Sequence, residues 1–424
     1  MESLAQVPSP GKKQQKGLYI FNAVIHDGLG KVWKNGFIHV ENGVIRSLGE
    51  GIQAITTAVD MQKSEVLDAG GKHLYPGFIL MNTPLGLNEI DAVRATHDMG
   101  ESGAENPNAH TLPAYNTDSD LIPTIRSNGV LMAQISPRGG GIRGLSSVVQ
   151  LDAWNWEDAV VKQKDGMHLA WPSRYAVKGW WAEPGNIERS KEYLTERDQL
   201  DRTFTDARMF ESSLKPNVNT KLQAFSGLFS GYTTLYMHAE FGSDIVTALE
   251  FVRKHDIPKV VLVTGTQVLE VLDLIKERKI PVVVNRLHSL PVRPEDPVHL
   301  PVEVASLLKQ AGVLVALDYE GGMEIMGSRN LAFLAGSAAR HGISEEEALQ
   351  LITINPARIL GMEKSCGSLE VGKDATFFLS NGNALNMSTQ KLTNAWIQGR
   401  PVSLESKQTA LYMKFKKMLE EGRY

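Results

Sequence analysis

The sequence predicts an α/β protein, a (β/α)8 TIM-like barrel joined to a composite β-sandwich, on three observations. In the middle of the chain, "DIVTALEFVRKHDIPKVVLVTG", "VLEVLDLIKERKIPVVVN" and "PVEVASLLKQAGVLVALD" each read helix, breaker, then a continuous apolar strand. Continuous Val/Ile/Leu strands imply burial on both faces, as in parallel βα units. The repeating region is roughly 290 residues long, enough for eight such units. Short alternating strands with Gly-containing turns occupy both ends of the chain, and most simply pair with each other. A doubly wound open sheet is the structural alternative.

Taken in order, residues 1–16, "MESLAQVPSPGKKQQK", are polar and proline-containing, and are expected to form a disordered lead-in. "SLAQ" fits the tail of a trimmed export signal, which would place the protein in the periplasm or outside the cell; without export it is cytoplasmic. Residues 17–73 form a small antiparallel β unit, with Asn42-Gly43 between two apolar-alternating runs as its hairpin signal. Residues 74–361 are the barrel. Within it, residues 99–120 are a long polar loop expected to cover the strand-end face. Residues 151–221, rich in Trp and charge, show readable helices but no placeable third or fourth strand. Residues 362–404 complete the β-sandwich, and residues 405–424 form a C-terminal helix.

The bulk chemistry narrows the partners. With 44 basic and 48 acidic residues, net charge −4, and no long run of like charge, the chain has no electrostatic footprint for nucleic acid. The single cysteine, Cys366, excludes an intramolecular disulfide and any cysteine-built metal site. No apolar stretch approaches the roughly 20 residues of a membrane span. A small-molecule or short-peptide substrate is expected, and the composition leaves room for a homo-oligomer.

Polar residues at the C-terminal ends of buried strands are the informative ones, because a buried charge is costly unless paired or bound to a metal. "TLYMHAEFG" ends a strand with His238 and Glu240, and "LVALDYEGG" does so with Asp318 and Glu320; each pair is spaced i, i+2 and points to one side of the sheet. "IPVVVNRLHSLP" adds Asn285, Arg286 and His288. Taken singly, His238 also reads as a core histidine satisfied by a carbonyl, and Asp318 as a helix cap or buried ion pair. Other motifs fall short. "GGGIRGLSS" has Leu145 where a phosphate-binding loop needs lysine, and both it and "VTGTQV" read as turns. Ser136, Ser146 and Ser147 lie in no G-x-S-x-G elbow, and His26 and His39 read as surface residues.

"NAVIHDG", "VENGVIRSLG", "LDAGGKHLYPGFI", "EEEALQLITINPARILGM" and "GSLEVGKDATFFL", in that order over residues 17–402, resemble the amidohydrolase superfamily, specifically its imidazolonepropionase-like branch. The resemblance implies a metal-dependent barrel with a composite β-sandwich. Its metal is held by an H-x-H pair on strand 1, a His on strand 5 and an Asp on strand 8, often with a further His on strand 6. His238 matches the strand-5 ligand, and Asp318 the strand-8 Asp, which in the family also takes a proton from bound water. Glu240 falls near an acidic substrate contact. The departures are equally clear: Asn82 and Pro84 replace both histidines of H-x-H, "VVLVTGTQ" offers no strand-6 histidine, and no strand-4 lysine is evident. "YPGF", "NTPLGL", "EIDAVRAT" and "AYNTDSDLIPTIRSNGVLMAQISP" resemble a bacterial subgroup of exported amidohydrolase-like proteins that lack H-x-H.

Two readings of function follow. In the first, the protein hydrolyses an amide C–N bond of a small molecule or dipeptide. His238 and Asp318, joined by Glu240, His288 or Glu320, would hold one divalent metal, zinc foremost, then manganese or iron. Asp318 and Glu240 would be catalytic, and Arg143, Arg286, His288 and Asn82 would bind substrate. In the second, the fold is kept without metal, as a catalytically inactive ligand-binding or scaffold protein. Metal-free catalysis by paired carboxylates is a third route. The metal reading requires His238, Asp318 and a third donor to converge within about 2.0–2.2 Å of one point.

Overall fold

The hairpin signal at Asn42-Gly43 is met. Strands β1 (Gly17–His26), β2 (Val32–Glu41) and β3 (Val44–Glu50) are antiparallel, and the two turn residues have φ of 53° and 77°, the left-handed backbone a tight two-residue turn needs. The computed structural model describes residues 8–51, 64–180, 183–213, 218–293, 295–321 and 323–422. The first seven residues of the expected lead-in, the "SLAQ" export-signal reading, and the last two residues of the C-terminal helix lie outside these.

Strands β4 (Ser64–Asp68) and β5 (His73–Pro76) run parallel to β1. From the other end of the chain come β18 (Phe377–Ser380), β19 (Leu392–Ile397) and β20 (Arg400–Val402). β18 pairs antiparallel with β5, so both chain ends build one eight-stranded sheet, ordered β20-β19-β18-β5-β1-β2-β3 with β4 beside β1. The strands thus join the two chain ends in one hydrogen-bonded sheet. One face buries Ile20, Ile38, Leu74, Phe377 and Trp396 together.

After Gly77 the chain passes into the middle region. β6 (Phe78–Thr83) runs parallel to β7 (Val130–Ile135), and β9 (Ser147–Gln150) and β10 (Val160–Lys162) extend this sheet antiparallel. A second sheet runs β8 (Ile142–Leu145), β11 (Gly166–Ala170), β14 (Thr234–His238), β15 (Val260–Thr264), β16 (Val282–Val284), β17 (Val315–Leu317). From β11 onward it is parallel, as the apolar strands predict. The helices Gly242–Lys254, Leu272–Glu277 and Leu300–Gln310 fill the crossovers that parallel pairing requires. Beyond β17, Asp318 forms a parallel bridge with Met81 of β6, so the last strand end meets the first.

Several expectations are corrected. Residues 8–16 are not a free lead-in: the Gly11 amide donates to Asp152 at 2.8 Å, and Gln14 bonds to Val40 and Gly43. A polar segment without apolar residues can still be fixed when its backbone groups find partners. The "GGGIRGLSS" stretch is not only a turn but contributes β8 and the start of β9. Residues 99–120 lie along β8, through Ala104–Ile142 and Ala109–Leu145 backbone bonds. Residues 151–221 hold β10, β11 and a hairpin of β12 (Tyr175–Trp180) and β13 (Glu183–Arg189), besides the helix Tyr193–Ser212. His26 is no surface residue: it stacks on Tyr75 with ring centres 4.3 Å apart and meets Glu346 at 2.6 Å. The C-terminal helix is Lys407–Glu420, capped by Ser406. Among the described residues no helix is long and apolar enough to cross a membrane.

One ion pair ties these parts together. Arg126, 2% exposed, donates to Asp152 at 2.8 Å and to the Leu151 and Ser403 carbonyls at 2.7 and 2.9 Å; Arg400 and the Gly11 amide meet the other Asp152 oxygen. Arg126→Met strands Asp152 with half its partners, and is expected to lower stability by about 3–5 kcal/mol, read as a fall in the urea midpoint. Cys366 is buried, and that burial pushes its thiol up to about 11. At pH 8 the native thiol should therefore react with a disulfide reagent more than about a hundredfold slower than free cysteine, with the full single equivalent released in denaturant.

Candidate active site

The strand ends bring one polar cluster together. Asn82, one residue before the end of β6, has a φ of 46° that turns the backbone; asparagine tolerates this conformation better than most residues. The turn aims its side chain across the sheet. Nδ2 donates to Asp318 Oδ2 at 2.8 Å and to Glu320 Oε2 at 2.7 Å. Its Oδ1 accepts from Ser136 at 2.9 Å and Arg138 at 3.2 Å, and its backbone amide donates to Gln134 at 3.0 Å.

Gln134, Ser136 and Arg138 follow one another at spacing i, i+2, i+4 along β7 and its extension, so all three reach the same face. Arg138 also donates to the Asn82 carbonyl at 2.7 Å and forms an ion pair with Glu324. Gln134 donates onward to Asp165 at 2.6 Å, where the Tyr236 hydroxyl and Lys162 also converge.

The other half of the cluster is a row of rings and cations. His238, at the end of β14, has Nδ1 3.1 Å from Arg143 Nη1 and 3.3 Å from Glu320, and Nε2 3.0 Å from His168 Nδ1. His168, on β11, stacks on Tyr236 with ring centres 4.7 Å apart, and its Nε2 has no partner. Arg143 can only donate to Nδ1 of His238 and Glu320 can only accept from it, so the two contacts call for opposite tautomers; in both, each ring nitrogen faces a protein partner.

Charge follows from burial. His238 is lowered to about 4, by burial first and then by the Arg143 charge, and His168 falls well below its ordinary value by burial first, then by His238 and the two arginines. Asp318 is pushed well above the usual carboxylate range by burial and then by Glu320. Glu320 moves the other way. Burial opposes its charge, but His238, Arg138 and Arg143 favour it. With His238 neutral, the two guanidiniums carry that work.

A cavity of about 210 Å³ opens beside this cluster, lined by Glu240, Glu320, Thr266, Asn285 and Arg286 among others. Burial raises Glu240 to about 7, and the Glu320 charge adds to the rise while the Gly265 amide opposes it. Thr266 Oγ1 and Asn285 Oδ1 are buried without a hydrogen-bond partner, and so is Thr264 Oγ1 at the end of β15.

Of the residues singled out from sequence, the fold gathers Asn82, Arg143, His238, Asp318 and Glu320 in one cluster, and Glu240 and Arg286 at the adjoining cavity. His288 is not among them. Its Nε2 bonds Ser337 at 2.7 Å in a separate cavity with Phe333 and Arg340, because the loop after β16 carries it outward. Asp318, expected as a base, is fully buried with one oxygen capped by Asn82 and the other by the Glu320 amide at 2.9 Å. Gln134, Arg138, His168 and Glu324 escaped sequence reasoning. The alternate spacing in "AQISPRGG" could have revealed Gln134 and Arg138; His168 sat in a strand that was not placed, and Glu324 has no local signal.

Residues 230–404 match the Amidohydrolase family model. An amidohydrolase from Thermotoga maritima MSB8 superposes with TM-score 0.76 at 25% identity, over 91% of this chain and 99% of that one. Over that stretch, and in its fold over most of its length, the chain is similar to the amidohydrolases. More distant structures share the fold: a Xaa-Pro dipeptidase with methionine bound in its active site (TM-score 0.53, 13% identity, 91% and 100% covered) and the A. niger ochratoxinase (0.54, 16%, 91% and 95%). A search of curated protein sequences finds no match.

The resemblance to amidohydrolases implies a divalent metal, and the residues present do not fit one. Among the described residues no three His, Cys, Asp or Glu side chains are arranged to hold an ion. Both ring nitrogens of His238 face protein partners, Nδ1 meeting Arg143 and Glu320 and Nε2 meeting His168, and both Asp318 oxygens accept N–H groups. Asn82 is therefore a structural donor, and Asn82→Asp would set a third carboxylate against Asp318 and Glu320. That variant is expected to lose about 2–4 kcal/mol of stability, measured by denaturant unfolding at pH 7.5, with most of the loss recovered at pH 5 as carboxylates take up protons.

Proposed function

We propose that this amidohydrolase-like protein hydrolyses an amide C–N bond in a small, carboxylate-bearing molecule bound in the cavity beside β15 and β16. The reading takes β6 through β17 as a (β/α)8 barrel closed by the Met81–Asp318 bridge, with the cavity at its C-terminal strand ends. The observation that carries it is the set of unpartnered polar atoms there: Thr266 and Asn285 present buried oxygens with nothing to bond, beside a guanidinium. Native proteins satisfy such groups, so a polar ligand is the natural partner. One structure that shares the fold is a Xaa-Pro dipeptidase with methionine bound in its active site.

In this reading Arg286 anchors the substrate carboxylate and Glu240 is the general base. Glu240 takes a proton from the attacking water as oxygen bonds to the carbonyl carbon. It returns that proton to the leaving nitrogen as the C–N bond breaks, releasing a carboxylic acid and an amine. Asn285 and Thr266 hold the polar atoms of the amide. A second reading, ligand binding without chemistry, is favoured by the capping of Asp318, which leaves the family's usual base engaged.

A panel of N-acyl amino acids and dipeptides, followed by amine release, separates the two. The hydrolase reading expects turnover that Glu240→Gln lowers about 10²–10⁴-fold while the ligand-induced rise in melting temperature persists. Binding without amine release for every ligand that raises the melting temperature would leave the second reading.

A further inference from the structure

The cluster at the strand ends holds positive charge without an ion. Arg143 sits 3.1 Å from His238 Nδ1 and 3.7 Å from Glu320, anchored by its Nε to the Gly139 carbonyl at 2.8 Å. Arg138 meets Glu324, the Asn82 carbonyl and Ser136. Two guanidiniums thus face the Asp318, Glu320 and Glu324 carboxyls, the arrangement that a divalent cation would otherwise organise.

The geometry of lone pairs decides between the two cations. A ring nitrogen can bind a metal or accept from an arginine, not both. His238 Nδ1 faces Arg143 and Glu320, its Nε2 shares a hydrogen bond with His168 Nδ1, and the chain ends on His168 Nε2, buried without a partner, so neither ring nitrogen of His238 is left open for an ion. On the carboxylate side Asn82 Nδ2 bridges Asp318 and Glu320, supplying one donor to each at the position where the family pattern has a histidine. Asn82, Arg138 and Arg143 therefore form one replacement, in which each change supports the others.

We infer that Arg143 and Arg138, with the Asn82 amide, stand in place of the metal: they supply the positive charge at the strand ends, and the folded protein takes no divalent ion at His238 and Asp318. This holds whether or not the adjoining cavity hydrolyses amides.

The test is elemental analysis of tag-free protein purified without chelator, with thermal unfolding in EDTA and in added zinc or manganese, and a cobalt(II) absorbance titration. The expected result is metal far below one equivalent, melting temperature changed by less than about 1 °C in either solution, and no tetrahedral cobalt band. Near-stoichiometric metal removed by EDTA with a fall in melting temperature, or a cobalt band abolished in His238→Ala, would overturn the inference. Metal that persists in His238→Ala lies elsewhere and leaves the assignment standing. Should His238→Ala fail to fold, the chelator and cobalt measurements on the unaltered protein decide alone.

Discussion

A single side-chain amide holds the first and last strands of the parallel series to each other. Asn82 leaves β6 in a left-handed conformation, gives its two N–H bonds to Asp318 and Glu320 beyond β17, and receives Ser136 and Arg138 on its oxygen. Few residues could do this: the position calls for tolerance of positive φ and for a donor and an acceptor on one short side chain. Next to it, the Met81–Asp318 bridge joins the backbones of the same strands. The electrostatics of the cluster follow from this contact, because it brings two carboxyls onto one donor in a buried place.

Two carboxyls so close cannot both remain charged without help. Asp318 gives way, its oxygens capped by N–H groups and its acidity suppressed, while Glu320 keeps its charge beside Arg138 and Arg143. Burial first, and then the same guanidiniums, keep His238 neutral. What results is an interior ionic network with partners for nearly every group, unlike the open coordination position that a hydrolytic metal needs. The polar atoms left unpaired lie to one side, at Thr264, Thr266 and Asn285.

Beyond the site, the molecule depends on a comparable economy of contacts. The Arg126–Asp152 pair joins the segment before β1, the helix Leu121–Arg126, the end of β9 and the chain after β20. It explains why a polar stretch with almost no apolar content, residues 8–16, takes a defined path. Composition reports whether a segment can build a core; it is silent on whether its backbone will be used by one.

The sequence by itself determined the α/β class, the Asn42-Gly43 hairpin, the pairing of the two chain ends and the parallel strands β14 to β17, because period and turn chemistry are local properties. It also identified His238, Glu240, Asp318 and Glu320, since polar residues at alternate positions on a buried strand end are conspicuous. Only the tertiary structure decided what these residues face. Whether His238 meets a metal or Arg143 depends on a residue 95 positions away, and whether Asp318 is a base or a capped acid depends on Asn82, 236 positions away. His168 and Arg138 carried no local signal of their partnership, and His288, alike on paper, was carried to another cavity by its loop. Distance and direction between strand ends arise when the sheet is assembled, so no window of the chain contains them.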